Sequence, residues 1–162
     1  MIIKLNGSLI IDERVRGWCA LPYPGHPKGC PNLNVKDECP SKCRMIYDNF
    51  NLKKDHWFAI IKFDMEAQMA RMLDLHPDWS EKQCRCCLYW QEGVRKKLRQ
   101  LCESKIDGNH RLSYTLIPEA GGVHVFDTML QHGISMSRDA YPVLYKIALI
   151  GYKNRFYKRR TA

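Results

Sequence analysis

His56-Trp57-Phe58-Ala59-Ile60-Ile61-Lys62-Phe63-Asp64 is the stretch that decides the fold class. Aromatic and β-branched side chains crowd positions 56–63, a composition that suits a buried strand. Asp64 closes the run with a short carboxylate able to accept from the first N–H groups of a helix. Met65, Met69, Met72 and Leu73 then recur at helical spacing. The stretch therefore predicts a strand passing directly into a helix that ends near residue 75.

Upstream, Ile2-Ile3-Lys4-Leu5, Asn6-Gly7 and Leu9-Ile10-Ile11 have the form of a β-hairpin, because Asn-Gly supplies the positive φ angles of a two-residue turn. Downstream, Ser80 and Gln83 make a capping box, flanked by Trp79 and Cys84 at the staple positions. That box predicts one helix over 81–106, stopped at Gly108. A strand is expected over 112–117. A helix is expected over 119–132, ending at Gly133, with Val123, Phe126, Met129 and Leu130 inward. A last strand is expected over 143–152. Interleaved strands and helices imply a single α+β (or α/β) domain over 1–152, with a mixed β-sheet and packed helices, followed by a basic C-terminal tail over 153–162.

Residues 17–54 do not fit this pattern. Pro22, Pro24, Pro27, Pro31 and Pro40, with Gly25 and Gly29, forbid long helices and central strands. A loop of this length inside a compact domain needs something to tie it down. A chain of 162 residues buries a core large enough to need no disulfide staples. The first seven residues lack the features of a secretory signal, and no apolar run reaches the length of a membrane span. The expectation is a soluble, cytoplasmic protein whose thiols stay reduced, and in that setting clustered cysteines serve as metal ligands or redox groups.

Eight cysteines fall in two bursts. The first is Cys19, Cys30, Cys39 and Cys43, carried on the proline-rich loop, from which four sulfurs can converge on a tetrahedral ion or a cubane cluster. Cys30-Pro31 and Cys39-Pro40 have the cysteine–proline step of bacterial-type ferredoxin motifs. Only Cys39 and Cys43 are closely spaced, whereas structural zinc sites favour two tight pairs. The spacing thus favours an iron–sulfur cluster, 4Fe-4S, over zinc. The second burst, Cys84-Arg85-Cys86-Cys87, opens the predicted long helix, where Cys84 and Cys87 share a face and Cys86 does not. Cys84 and Cys87 either complete the loop site or begin a second one. On a continuous helix Cys102 lies about 27 Å beyond Cys84, too far for a common metal, and reads as a small buried apolar residue.

Three segments, Gly29-Cys30-Pro31-Asn32, Cys84-Arg85-Cys86-Cys87 and Pro118-Glu119-Ala120-Gly121-Gly122-Val123-His124-Val125-Phe126, give the chain a resemblance. It resembles a cysteine-rich family of archaeal and bacterial proteins described as predicted metal-binding proteins. The resemblance implies metal binding, with an iron–sulfur centre, and no defined activity.

The net charge is +9. From Tyr152 onward, Lys153, Arg155, Lys158, Arg159 and Arg160 alternate with Phe156 and Tyr157. Basic groups neutralise phosphates and rings stack on bases, so Arg155, Lys158, Arg159 and Arg160 are candidates for binding RNA or single-stranded DNA. A solvated terminus is the plainer reading. His26 is a possible further ligand, though a loop histidine needs no such role. There is no serine nucleophile elbow, P-loop or dinucleotide fingerprint. Three readings follow: an iron–sulfur protein with a redox or Lewis-acid role and a redox protein partner, a zinc-stapled nucleic-acid-binding module, and a metal-free thiol redox protein using Cys84 and Cys87.

Overall fold

In a computed structural model that describes residues 1–22, 26–137 and 141–154, four strands form one open sheet. They are β1 (Ile2–Lys4), β2 (His56–Asp64), β3 (Leu112–Thr115) and β4 (Val143–Tyr152), in the order β1-β2-β4-β3. Every pairing is antiparallel, so the fold is α+β and the expected mixed sheet is corrected. The central pair carries the pattern of the opening stretch. Phe58 faces Leu149 and Ile60 faces Ile147 on one side of the sheet, while Ala59 faces Ala148 and Trp57 faces Ile150 on the other.

Each face has its own core. On the first, Phe58, Ile60, Ile147 and Leu149 pack against Ile46, Val123, Val125 and Met129. On the second, the small Ala59–Ala148 pair admits Leu98 and Cys102 of α4 (Gln91–Ile106) close to the sheet. Leu98 is 1% exposed, and burying it contributes about 1.5–3 kcal/mol. Gly151 lies opposite His56 in the register, and a Cβ there would stand 2.7 Å from His56 Cδ2. The glycine makes room for a buried imidazole.

Helix α1 is a single turn, Ile46–Asn49. Helix α2 (Met65–Leu75) starts where expected, with Asp64 accepting from the Ala67 N–H at 2.8 Å. Its buried face is Met65, Gln68 and Met72, and Leu73 points outward.

Three expectations are corrected. The N-terminal hairpin does not form: β1 pairs with β2, and Ile10 and Ile11 instead engage Thr128, His124 and Val123. The helix over 81–106 is broken into α3 (Glu81–Cys84), a 3₁₀ turn (Cys87–Tyr89) and α4. The cause is Trp90, whose ring stacks on Phe63 at 4.9 Å while its indole N–H donates to the Arg85 carbonyl. In a continuous helix that carbonyl would accept from the Tyr89 N–H. The helix over 119–132 becomes a 3₁₀ turn (Pro118–Gly121) and α5 (Val125–Leu130), parted by Gly122 at φ +91°.

Candidate metal centre

A 3₁₀ segment, Glu13–Ala20, presents Cys19. Trp18 anchors it, meeting the rings of His124 and Phe126 edge-on at 5.1 and 5.6 Å. Among its described residues, the following loop is a chain of tight turns with no strand to carry it. Its backbone returns to the platform at Cys30, whose N–H donates to the Cys19 carbonyl at 2.7 Å. Gly29 makes this approach feasible. It sits at φ +80°, and a Cβ would lie 2.7 Å from Cys19 O and 2.8 Å from Ala20 C. Cys39 and Cys43 share one turn, closed by Cys43 N–H to Cys39 O at 2.8 Å. Arg16 reaches across from the 3₁₀ segment and donates to the carbonyls of Pro40 and, at 3.2 Å, Cys43. The Cys43 thiol donates to Ala120 O at 3.0 Å, and the Cys39 thiol to Asn32 O at 3.1 Å.

Cys19, Cys30, Cys39 and Cys43 are thereby gathered in one region, each partly exposed. Burial pushes the Cys19 thiol up, and the charges of Cys30, Cys39, Glu119 and Cys43 push it the same way. Cys43 is also raised by burial, opposed by the Arg16 guanidinium. The thiols of Cys30, Cys39 and Cys43 thus lie within electrostatic reach of Cys19. Among the described residues, no three His, Cys, Asp or Glu side chains are drawn into a metal-holding group. The Cys39 and Cys43 thiols use carbonyl acceptors, bonds that ligation would exchange for metal–sulfur bonds.

The second burst is carried by other elements. Cys84 is fully buried at the end of α3, which packs on α2. Cys86 is extended at the break, so Cys84 and Cys87 are not on one helical face as the sequence predicts. Cys87 lies toward the α4 side, where its charge acts on Lys146 of β4. Neither Cys84 nor Cys87 is among the groups that act on Cys19. Cys102 is 0% exposed in the α4 core, and burial pushes its thiol up to about 12.

Glu119 and Lys146 lie between the two bursts. Burial pushes the Glu119 carboxyl up and the Lys146 ammonium down, and each charge partly offsets the shift of the other. Sequence reading missed this pair, along with Arg16 and the role of Gly29. All are set by contacts distant in the chain, and only the positive φ of Gly29 had a local signal. His26 accepts the Gly29 N–H at its carbonyl, and His124 caps α5 by accepting from Asp127 N–H at 3.2 Å. Arg155, Lys158, Arg159 and Arg160 lie outside the described residues. Among the described residues no helix is long and apolar enough to cross a membrane. Comparison with protein-family models, with curated proteins and with solved structures finds no match for this chain.

Proposed function

We propose that Cys19, Cys30, Cys39 and Cys43 form a thiolate centre for a soft metal, with a 4Fe-4S cluster as the group held. The observation that supports this is the convergence of four cysteines spread along a proline-rich loop onto one platform, within electrostatic reach of Cys19. All eight cysteines are free thiols, which suits a reducing, cytoplasmic setting. When bound, such a cluster supplies one-electron redox chemistry. The chain's own residues hold the loop in place. Gly29 permits the Cys30–Cys19 contact, Arg16 fixes the Pro40 and Cys43 carbonyls, and Trp18 anchors the platform.

The test is anaerobic purification followed by iron, sulfide and zinc analysis and an absorption spectrum. Iron with equal sulfide and a broad, reductant-bleached absorption are expected. They should be lost when any of the four loop cysteines is changed to Ser, and retained in Cys84→Ala and Cys87→Ser. Colourless protein with one zinc per chain would keep the thiolate centre and overturn the cluster. Protein without metal after reconstitution would overturn both.

A further inference from the structure

At the end of the sheet remote from α2, a cleft of about 380 Å³ opens between the turns at 51–54 and 109–111 and the end of β4. Among the described residues Lys54, Arg111 and Lys153 line it, with Tyr152 and His110, and no carboxylate does. The nearest acid in sequence, Asp55, is already engaged by Lys4 at 3.0 Å and does not cancel Lys54. Lys54 Nζ and Arg111 Cζ stand 5.9 and 5.8 Å from the Tyr152 ring centre. Tyr152 is 6.2 Å from the Trp57 ring, and Lys105 Nζ lies 4.8 Å over Trp57. Two partly buried aromatic rings are therefore set side by side within a border of cations. Lys153 is fixed by its ammonium on His110 O at 2.9 Å and its N–H on Arg111 O.

The geometry points to this cleft as a binding site for single-stranded nucleic acid, with Lys54, Arg111 and Lys153 on phosphates and Tyr152 as the stacking surface. Cations around a cleft whose described lining has no acid are the electrostatic footprint of a phosphate chain. The Tyr152 ring and the Arg111 guanidinium plane offer π-faces to unpaired bases, which a duplex does not present. In the sequence Lys153 is followed by Arg155, Lys158, Arg159 and Arg160, whose charge has the same sign. The site rests on different residues from the thiolate centre, so either can fail without the other.

The experiment titrates the full chain against a fluorescein-labelled uridine dodecamer by anisotropy, over a range of salt concentrations. Each phosphate contact on a single strand contributes about 0.7 to the slope of log K against log salt. Lys54→Ala with Arg111→Ala should flatten that slope by about 1.4. Both side chains are exposed, so folding is not at risk. Tyr152→Leu should weaken binding about tenfold, and Tyr152→Phe should restore it. A charge-matched control, Lys62→Ala with Lys82→Ala, removes two exposed lysines toward the other end of β2 and should leave the slope unchanged. An unchanged slope in the cleft variant overturns the site, as does an equal loss in the control. Binding of a dodecamer duplex as tight as the single strand overturns the assignment of ligand.

Discussion

Replacing Gly29 by Ala tests whether the loop is held by its own backbone. The residue sits at φ +80°, a left-handed conformation that costs an L side chain about 1–2 kcal/mol. The added Cβ would also stand 2.7 Å from Cys19 O and 2.8 Å from Ala20 C and O. These are backbone atoms, so no side chain can swing aside, and the two segments must part. Parting them breaks the Cys30 N–H to Cys19 O bond, worth about 1 kcal/mol net. The sum is about 2–3 kcal/mol, equivalent to roughly a 30- to 150-fold rise in the open population of the loop. Hydrogen exchange at the Cys30 amide reads that population directly. Gly133→Ala separates strain from collision, since Gly133 has φ +71° but nothing within 4 Å of a built Cβ. It should cost strain alone and leave Cys30 protection as it is. Unchanged exchange at Cys30 in Gly29→Ala would refute the reasoning, and so would an equal loss in Gly133→Ala.

Two further outcomes concern buried titratable groups. His56 is 5% exposed, its Nε2 has no hydrogen-bond partner among the described residues, and burial holds its pKa below the ordinary 6.5. As pH falls through 6.5 the unfolded chain gains a proton that the folded chain refuses, so stability should drop toward the folded pKa and be flat above 6.5 on this account. Urea midpoints at pH 7.5 and 5.0 should differ less in His56→Phe than in the natural chain, and an equal difference would contradict the assignment. Cys102 behaves in the opposite direction: its thiol moves from 9.0 to about 12 on folding, so stability should decline as pH rises from 9 toward 12, by about 4 kcal/mol in full. Cys102→Ala should flatten that decline, and mass spectrometry should find Cys102 unalkylated by iodoacetamide in folded, metal-free protein at pH 8 while the partly exposed loop cysteines react.

The parts of the fold that were legible in the sequence are those settled within a few residues. The strand at 56–64, the Asp64 cap, the Ser80–Gln83 box and the strand at 143–152 each rest on local composition or local hydrogen bonding. The misread parts depend on a distant partner. Ile2–Lys4 takes β2 as its neighbour because the segment after Gly7 finds acceptors and donors at 123–128 instead. The break before α4 needs Phe63, more than twenty residues away, to hold the Trp90 ring. The same divide runs through the candidate site. Spacing led to the four loop cysteines, because a chain of turns is where convergence is easiest. It misplaced Cys84 and Cys87 relative to each other because that reading assumed an unbroken helix. Arg16 and Glu119 carried no local sign of their roles, since each acts on a segment far from it in sequence.

The number of thiols on the loop limits the chemistry of the proposed centre. Cys19 and its platform pack on the sheet face that carries Phe58 and Leu149, both 0% exposed. Cys84 is 0% exposed at the end of α3, and the charge of Cys87 acts on Lys146 of β4. The proposed centre draws its thiolates from the loop, and the loop supplies four. Four thiolates fill every protein-facing position of a cubane cluster or a tetrahedral ion. A filled set leaves no open coordination site for substrate, so the centre favours electron transfer with a redox partner over Lewis-acid chemistry. It also makes the loop cysteines unequal to the rest: loss of any one opens the centre, whereas loss of Cys84, Cys87 or Cys102 leaves it complete.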